Sequence, residues 1–350
     1  VPEYPQLHYG DRVVMSGKAV AVRNFEPKDG EKDFNYRAYL AKDAIYYQMY
    51  FPQTAVINNG GGNIVLEKLF LLKDKMLGNI TRVIPEPEAA LAGGVTLGVK
   101  QSLGEELLQK FRETGLAHIV VLSGYNIAIV AGAIAAITMH LPFVWRIILP
   151  VVGIVFFAMM VGGGATVVRA TIMALIVILA RATGRNGDAL RALVLAGGLM
   201  VIWSPMILLY DIGFQLSFTA TLALIIFSPV LEKYFMFVSS RMFREIVVAT
   251  VSTQIFVLPL LLYHIGSTSI IGIIANIFVL PLVPVAMLAV FLVGTLAWIP
   301  VLGSILAFIA YFVLAYIILA VELFASVPFA SISQIGFSLW MLVIVYLIFG

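Results

Sequence analysis

From Gly115 to Gly350 the chain is almost continuous apolar sequence, interrupted only by short glycine-, proline- or arginine-bearing gaps. A run of that length leaves too little polar surface to face water, so it has to be solvated by lipid. In hydrocarbon every backbone N–H and C=O needs an internal partner, which restricts the run to helices or a closed barrel. Its segments are long and uninterrupted by regular polar alternation, so helices are expected. At about 20 residues per crossing the stretch holds roughly eight to ten membrane segments. Composition agrees: 61% of the 350 residues are hydrophobic and 12% are charged, against about 25% charged in soluble domains.

The apolar segments read as 116–140, 143–161, 165–180, 190–203, 206–229, 246–263, 270–296, 303–327 and 337–349. Pro142, Gly162-Gly163-Gly164, Pro205, Pro229, Gly266, Pro300 and Pro328 separate them, and Pro281 and Pro284 inside one run predict a kinked or discontinuous helix. Val1 to Arg112 holds most of the acids and lysines. Residues 1–62 carry short alternating or aromatic runs (Gly10 to Arg23, Ala44 to Phe51, Thr54 to Ile57) around a charged turn, Glu26 to Lys32. Those runs end in Asn58-Asn59-Gly60-Gly61-Gly62 and predict a small β-rich unit. Residues 63–114 read as an amphipathic helix opened by Asn63 and stopped by Pro85 and Pro87, a short re-entrant or interfacial piece (Ala89 to Val99), and a second amphipathic helix from Ser102 to Glu113. Residues 115–350 form the polytopic part.

Arg181, Arg185 and Arg191 cluster in one short loop, and Lys233, Arg241 and Arg244 in another, with two segments between them. The positive-inside rule places both loops in the cytoplasm and the N-terminal unit outside. The chain begins with Val1 and shows no cleavable signal pattern, and is expected to be a piece of a longer or processed protein. It has no cysteine, and His8, His118, His140 and His264 lie too far apart for metal-ligand spacing, so no metal or other cofactor is expected. No Gly-x-x-x-x-Gly-Lys-Ser/Thr string is present, which excludes an ATPase motor of that type.

Polar side chains inside the apolar segments are the candidate functional residues, because each needs a partner or water at membrane depth. Arg169 lies mid-segment; it either pairs with Asp211, the other intramembrane charge and the favoured reading, or lines a polar path and meets an anion. Asp211 and Gln215 share a helical face, with Ser217 turned away, and an amide such as Gln215 can bridge helices without charge. His118 and Asn126 are eight apart, on one stripe of a helix, with Ser123 offset. A serine protease reading of Ser123 fails because Val121 occupies the position where Gly-x-Ser-Gly needs glycine. Gln254, His264 and Asn276 complete the set of channel-lining or intramembrane polar candidates. Tyr46, Tyr47, Tyr50 and Phe51, with Trp145, Trp203 and Trp298, suit an interfacial belt, and the tyrosines could also stack bases.

Several strings resemble the ComEC family of competence proteins, in that family's order. Gly115-Leu116-x-His118 leads through an apolar run to Ser123-Gly124. Arg169-Ala170-Thr171-Ile172-Met173, Asp188-Ala189-Leu190 and Ser204-Pro205 follow, and then Asp211-Ile212-Gly213-Phe214-Gln215-Leu216-Ser217. Ser252-x-Gln254, Leu258-Pro259, His264-x-Gly266, Asn276 and Pro281 come last. Tyr125-Asn126 departs from the family's more usual Leu-His, so no histidine role carries over there. Asp33-Phe34-Asn35-Tyr36-Arg37-x-Tyr39-Leu40 is similar to a stretch late in the family's extracytoplasmic OB-like domain. The resemblance implies a polytopic α-helical channel of the bacterial inner membrane, with a partial OB-like unit in front. Its cargo would be single-stranded DNA entering during natural transformation. A separate cytoplasmic DNA motor would serve it, together with a nuclease on another chain or a missing domain, since no His-x-His-x-Asp-His string occurs and no enzymatic activity is expected. A secondary transporter of a small anion or metabolite is the rival reading.

Overall fold

The computed structural model describes residues 7–25, 35–58, 60–99, 103–120, 122–182, 188–332 and 336–349. The charged turn Glu26 to Lys32, Asp33-Phe34, Asn59, Ser102, Val121, Arg185 and the Arg181 side chain lie outside that description.

Among its described residues the N-terminal unit has a pair of ladders and one short helix. Strand β1 (Arg12–Ser16) pairs antiparallel with β4 (Gln53–Asn58), and β2 (Ala19–Ala21) with β3 (Tyr47–Met49). Helix α1 (Tyr36–Ala41) sits between β2 and β3 in sequence, its N-terminus capped by Asn35, whose side chain accepts from the Ala38 N–H. The unit is β-bearing as expected, but two two-stranded ladders are not the five-stranded barrel of an OB-fold, and that likeness is unconfirmed.

Helix α2 (Ile64–Val83) begins at Asn63, whose side chain accepts from the Val65 and Leu66 N–H groups, and ends before Pro85. Every residue of α3 (Glu88–Leu97) is buried, so this short piece is surrounded by protein on all sides. Its Ala-Ala-Leu-Ala-Gly-Gly composition permits that close approach. Next come α4 (Glu105–Glu113), α5 (Ala117–Val120), α6 (Gly124–Thr138), α7 (Phe143–Met160) and α8 (Ala165–Ala182). Helices α9 (Ala189–Trp203), α10 (Ile207–Tyr210), α11 (Ile212–Ile226), α12 (Ser228–Glu232) and α13 (Arg241–His264) follow. Helices α14 (Gly272–Val279) and α15 (Val283–Leu296) are joined by a 3-10 turn at Leu280–Leu282, where Pro281 interrupts the α pattern as its position predicted. Helix α16 (Pro300–Ala325) and α17 (Leu339–Phe349) end the chain, and β5 (Thr268–Ser269) pairs with β6 (Ser331–Ile332).

Among the described residues four helices are long and apolar enough to cross a membrane: α7, α13, the α14–α15 unit and α16. A fifth crossing results if α11 and the segment Ser228–Phe235, bent by 46°, count as one. Shorter apolar helices such as α6 and α9, with 15 residues each, reach about 22 Å at 1.5 Å per residue. That is short of a hydrocarbon core of about 30 Å. The protein is therefore a helical membrane protein whose apolar length is divided between full crossings and shorter pieces. Exposed Ile202, Trp203, Val301 and Leu347 supply surface that lipid, not water, can solvate.

The largest core gathers α2, α3, α14, α15 and α16 around Met76, Leu91, Val95, Val290, Leu314 and Ile317. Two polar ties fasten α2 to the end of α15: Asn79 Nδ2 donates to the Gly294 carbonyl at 2.7 Å and Arg82 Nη2 to the Ala297 carbonyl at 3.0 Å. A second core joins α6, α7 and α8 through Ile127, Ile154 and Val167, and a third joins α9, α10 and α11 through Met200, Ile207 and Phe214.

Candidate functional site: polar residues within the bundle

The expected helix over 116–140 is broken. Helix α5 stops at Val120 and α6 starts at Gly124, so His118 and Asn126 do not share one helical stripe. The Gly124 side of the break is shaped by polar pairing: Ser123 Oγ donates to Asn126 Oδ1 at 2.8 Å, and Asn126 Nδ2 donates to the Val95 carbonyl of α3 at 2.8 Å. Both ends of the Asn126 amide are thus engaged, and the residue is 1% exposed. His118 lies on the exposed side of α5 with Nδ1 3.1 Å from the Gly115 carbonyl oxygen.

Asp211 corrects the favoured reading of the two intramembrane charges. It does not pair with Arg169. Its Oδ1 accepts from the Phe214 N–H at 2.9 Å, capping α11, and its Oδ2 lies 2.9 Å from Lys42 Nζ. Both side chains of that pair are under a tenth exposed, and Lys42 also reaches Asp43 at 3.1 Å. The cause is the break after α10: it puts Asp211 at a helix start, within reach of the N-terminal unit, and not part-way along a continuous segment. Ser204 Oγ reaches the Lys42 carbonyl at 3.5 Å, so the Ser-Pro and Asp-Ile-Gly strings meet the same loop.

Gln215 bridges helices as its chemistry allowed. Its Nε2 donates to the Leu208 and Leu209 carbonyls at 2.9 and 3.2 Å, and its Oε1 lies 2.6 Å from His264 Nε2 on α13. Gln254 Nε2 donates to the Ser269 carbonyl at 3.3 Å. Asn276 is 6% exposed and its Oδ1 has no hydrogen-bond partner.

Arg169, one turn into α8, is 5% exposed, and its Nε and Nη1 have no hydrogen-bond partner. The Phe218 ring of α11 lies 5.6 Å from its Cζ, a cation–π contact. On the other side it presses on Gly124, where an added Cβ would lie 2.8 Å from Nη2.

Six of the nine polar candidates fall into three neighbourhoods: Ser123, Asn126 and Arg169 at the start of α6; Asp211 against the N-terminal unit; and Gln215 with His264 between α11 and α13. His118, Gln254 and Asn276 lie apart from these. Hollows among the described residues lie elsewhere. One of about 210 Å³ lies between His8, Tyr9 and α2, and one of about 430 Å³ between Pro85 and Tyr311. Among the described residues no group of three or more His, Asp or Glu is placed to hold a metal ion. Lys42 and Gly124 were not singled out by sequence reasoning. Lys42 sits in a polar loop 169 positions before its partner and carries no local signal, whereas Gly124 follows the serine of a string already noted.

Fold and site define a helical membrane protein with buried polar groups at helix breaks. Its family follows from comparison: the profile described as Competence protein matches residues 95–350, and the chain belongs to that family, as the motif resemblance implied. ComE operon protein 3 of Bacillus subtilis (strain 168) is 22% identical over 245 residues, which are 69% of this chain and 30% of that protein. A protein of Aquifex aeolicus (strain VF5), described as uncharacterized, is 31% identical over 128 residues, 36% of this chain and 30% of its own length. The matched regions thus span about 30% of these relatives. No solved structure matches.

Proposed function

We propose that this chain is the membrane part of a DNA-uptake apparatus, a multi-pass protein of the bacterial inner membrane that conducts single-stranded DNA to the cytoplasm. The observation that carries the reading is the Competence family match over residues 95–350, which contains all nine polar candidates. A polyanion cannot enter hydrocarbon, so its carrier has to enclose hydrogen-bonding or cationic groups between helices. Arg169 and Asn276, each buried with unanswered polar atoms, fit that need. The side chains of Asn126, Asp211 and Gln215, already committed to neighbours, serve instead as ties that hold the broken helices in place. Discontinuous helices are tolerated in a membrane only where protein or water satisfies the freed backbone groups.

In this reading the N-terminal unit lies outside the cell, and the exposed Tyr46, Tyr47, Tyr50 and Phe51 face incoming DNA or the lipid interface. The energy for transport and any strand degradation come from other chains or domains, and no residue here is assigned a catalytic role. Deleting the gene and restoring it in a transformable host tests the proposal: cells without it should bind DNA but leave it outside. Normal internalisation in the deletion strain ends the proposal. Gradient-driven uptake of a small solute by reconstituted liposomes, with no effect of the deletion on DNA, would put the transporter reading in its place.

A further inference from the structure

We propose that Arg169 and the first turn of α6 form a binding site for a phosphodiester group of the DNA strand; the proposal rests on the DNA-conduction reading above. Arg169 is 95% buried, and its Nε and Nη1 are unpartnered. Its guanidinium lies against Gly124, the first residue of α6, with Nη2 2.8 Å from the point where a Cβ would stand. A helix start carries partial positive charge and unpaired N–H groups, so a cation placed there is repelled unless an anion joins them. The usual side-chain remedy is missing, because Ser123 gives its hydroxyl to Asn126 and makes no capping bond to the helix backbone.

A second helix start adds to the imbalance. Helix α8 begins at Ala165, one turn before Arg169, and Thr166 Oγ1 donates to the Leu122 carbonyl at 3.1 Å, tying the two helix starts together. The neighbouring helix ends offer little negative charge in return. Near the C-terminus of α3 the Gly93, Gly94 and Val95 carbonyls accept from the Val99 N–H, the Gly98 N–H and Asn126, and the Ala158 carbonyl of α7 accepts from the Gly163 N–H. Asp211, the acid expected to neutralise Arg169, is held by Lys42.

An oxyanion with several acceptor oxygens suits a guanidinium with two unpartnered nitrogens beside a helix N-terminus. The strand backbone is favoured over a lipid headgroup because Arg169 is enclosed by α6 and by Phe218 of α11, away from the exposed apolar faces. Gly124 is then the residue that lets the guanidinium lie over the helix start.

The test uses the full chain in nanodiscs of zwitterionic lipid, with a thymidine oligonucleotide and an abasic oligonucleotide of equal phosphate count as probes. Arg169→Gln should weaken both by about 10- to 100-fold, the range for losing hydrogen bonds to a charged group. The salt dependence should fall by about one phosphate contact. Arg169→Lys should recover part of the loss. Gly124→Ala keeps the charge but displaces the guanidinium and should weaken both probes, whereas Gly132→Ala, on the same helix with open space around it, should bind as the parent does. These two variants keep the test decisive if Arg169→Gln does not fold. Unchanged binding by Arg169→Gln and Gly124→Ala overturns the site, and it leaves the conduction reading standing if gene deletion still blocks uptake. Loss confined to the base-bearing probe, or an effect seen only with anionic lipid added, also overturns it.

Discussion

Two buried charges in this protein live in opposite circumstances. Asp211 is answered twice, by the Lys42 ammonium at 2.9 Å and by the Phe214 N–H of the helix it caps. Arg169, equally buried, has two nitrogens with no partner and two helix starts for neighbours. A paired buried charge holds parts together, and its removal strands the partner; an unpaired one burdens the fold, and is retained for what it binds. Stability and function should therefore separate between these two places.

The largest effect expected is on the paired side. Asp211→Asn leaves Lys42 buried without its main partner and should cost about 3–5 kcal/mol, read as a fall in thermal midpoint of the purified protein. The double variant Lys42→Met/Asp211→Asn should recover much of that loss, and simple additivity of the two would show that the pair is not a unit. Arg169→Leu should move stability the other way, by up to about 2.5–3.5 kcal/mol on insertion scales, while DNA uptake is lost. A destabilised Arg169→Leu protein would erase the contrast.

Gln215→Leu breaks the contact with His264 and leaves two carbonyls unanswered. Bonds between helices in lipid are worth about 0.6–2 kcal/mol, so this loss should be smaller than that of Asp211→Asn in the same unfolding assay. The smallest effect is one of pH. Burial lowers the Lys42 pKa, but the hydrogen bonds and charges of Asp211 and Asp43 outweigh it, and the net shift is upward from 10.5. A raised lysine pKa stabilises the fold below the unfolded value and ceases to do so as pH climbs through the folded one. The difference in thermal midpoint between the parent and Lys42→Met should thus stay level from pH 7 to about pH 10 and narrow above that. A difference that already shrinks below pH 9 would contradict the pairing.

The helix plan was legible because its signals are local. Asn63 and Asp188 cap α2 and α9, Pro142 and Pro300 stand at the starts of α7 and α16, and Gly162 and Gly163 turn the chain with positive φ between α7 and α8. What could not be read depended on distance in the chain or on contacts made by backbone. Nothing in His-Ile-Val-Val-Leu-Ser-Gly separates a continuous helix from two helices with a break, because the deciding contact is Asn126 reaching the Val95 carbonyl of α3. Periodicity placed Asp211 and Gln215 on one face, yet the partner of Asp211 lies in a loop of the N-terminal unit. The β-rich composition of residues 1–62 predicted strands correctly, but pairing decides architecture, and the pairs seen are two short ladders.

Helix α3 carries a consequence for how the protein is made. Its ten residues are wholly enclosed, and part of that enclosure is α15 and α16, which leave the ribosome some two hundred residues later, about 10–40 s at bacterial translation speeds. Until then the Ala-Leu-Ala-Gly-Gly segment has no finished socket. A stall or truncation before Val283 should leave a nascent chain with its central peg unseated, open to capture by membrane quality-control proteases.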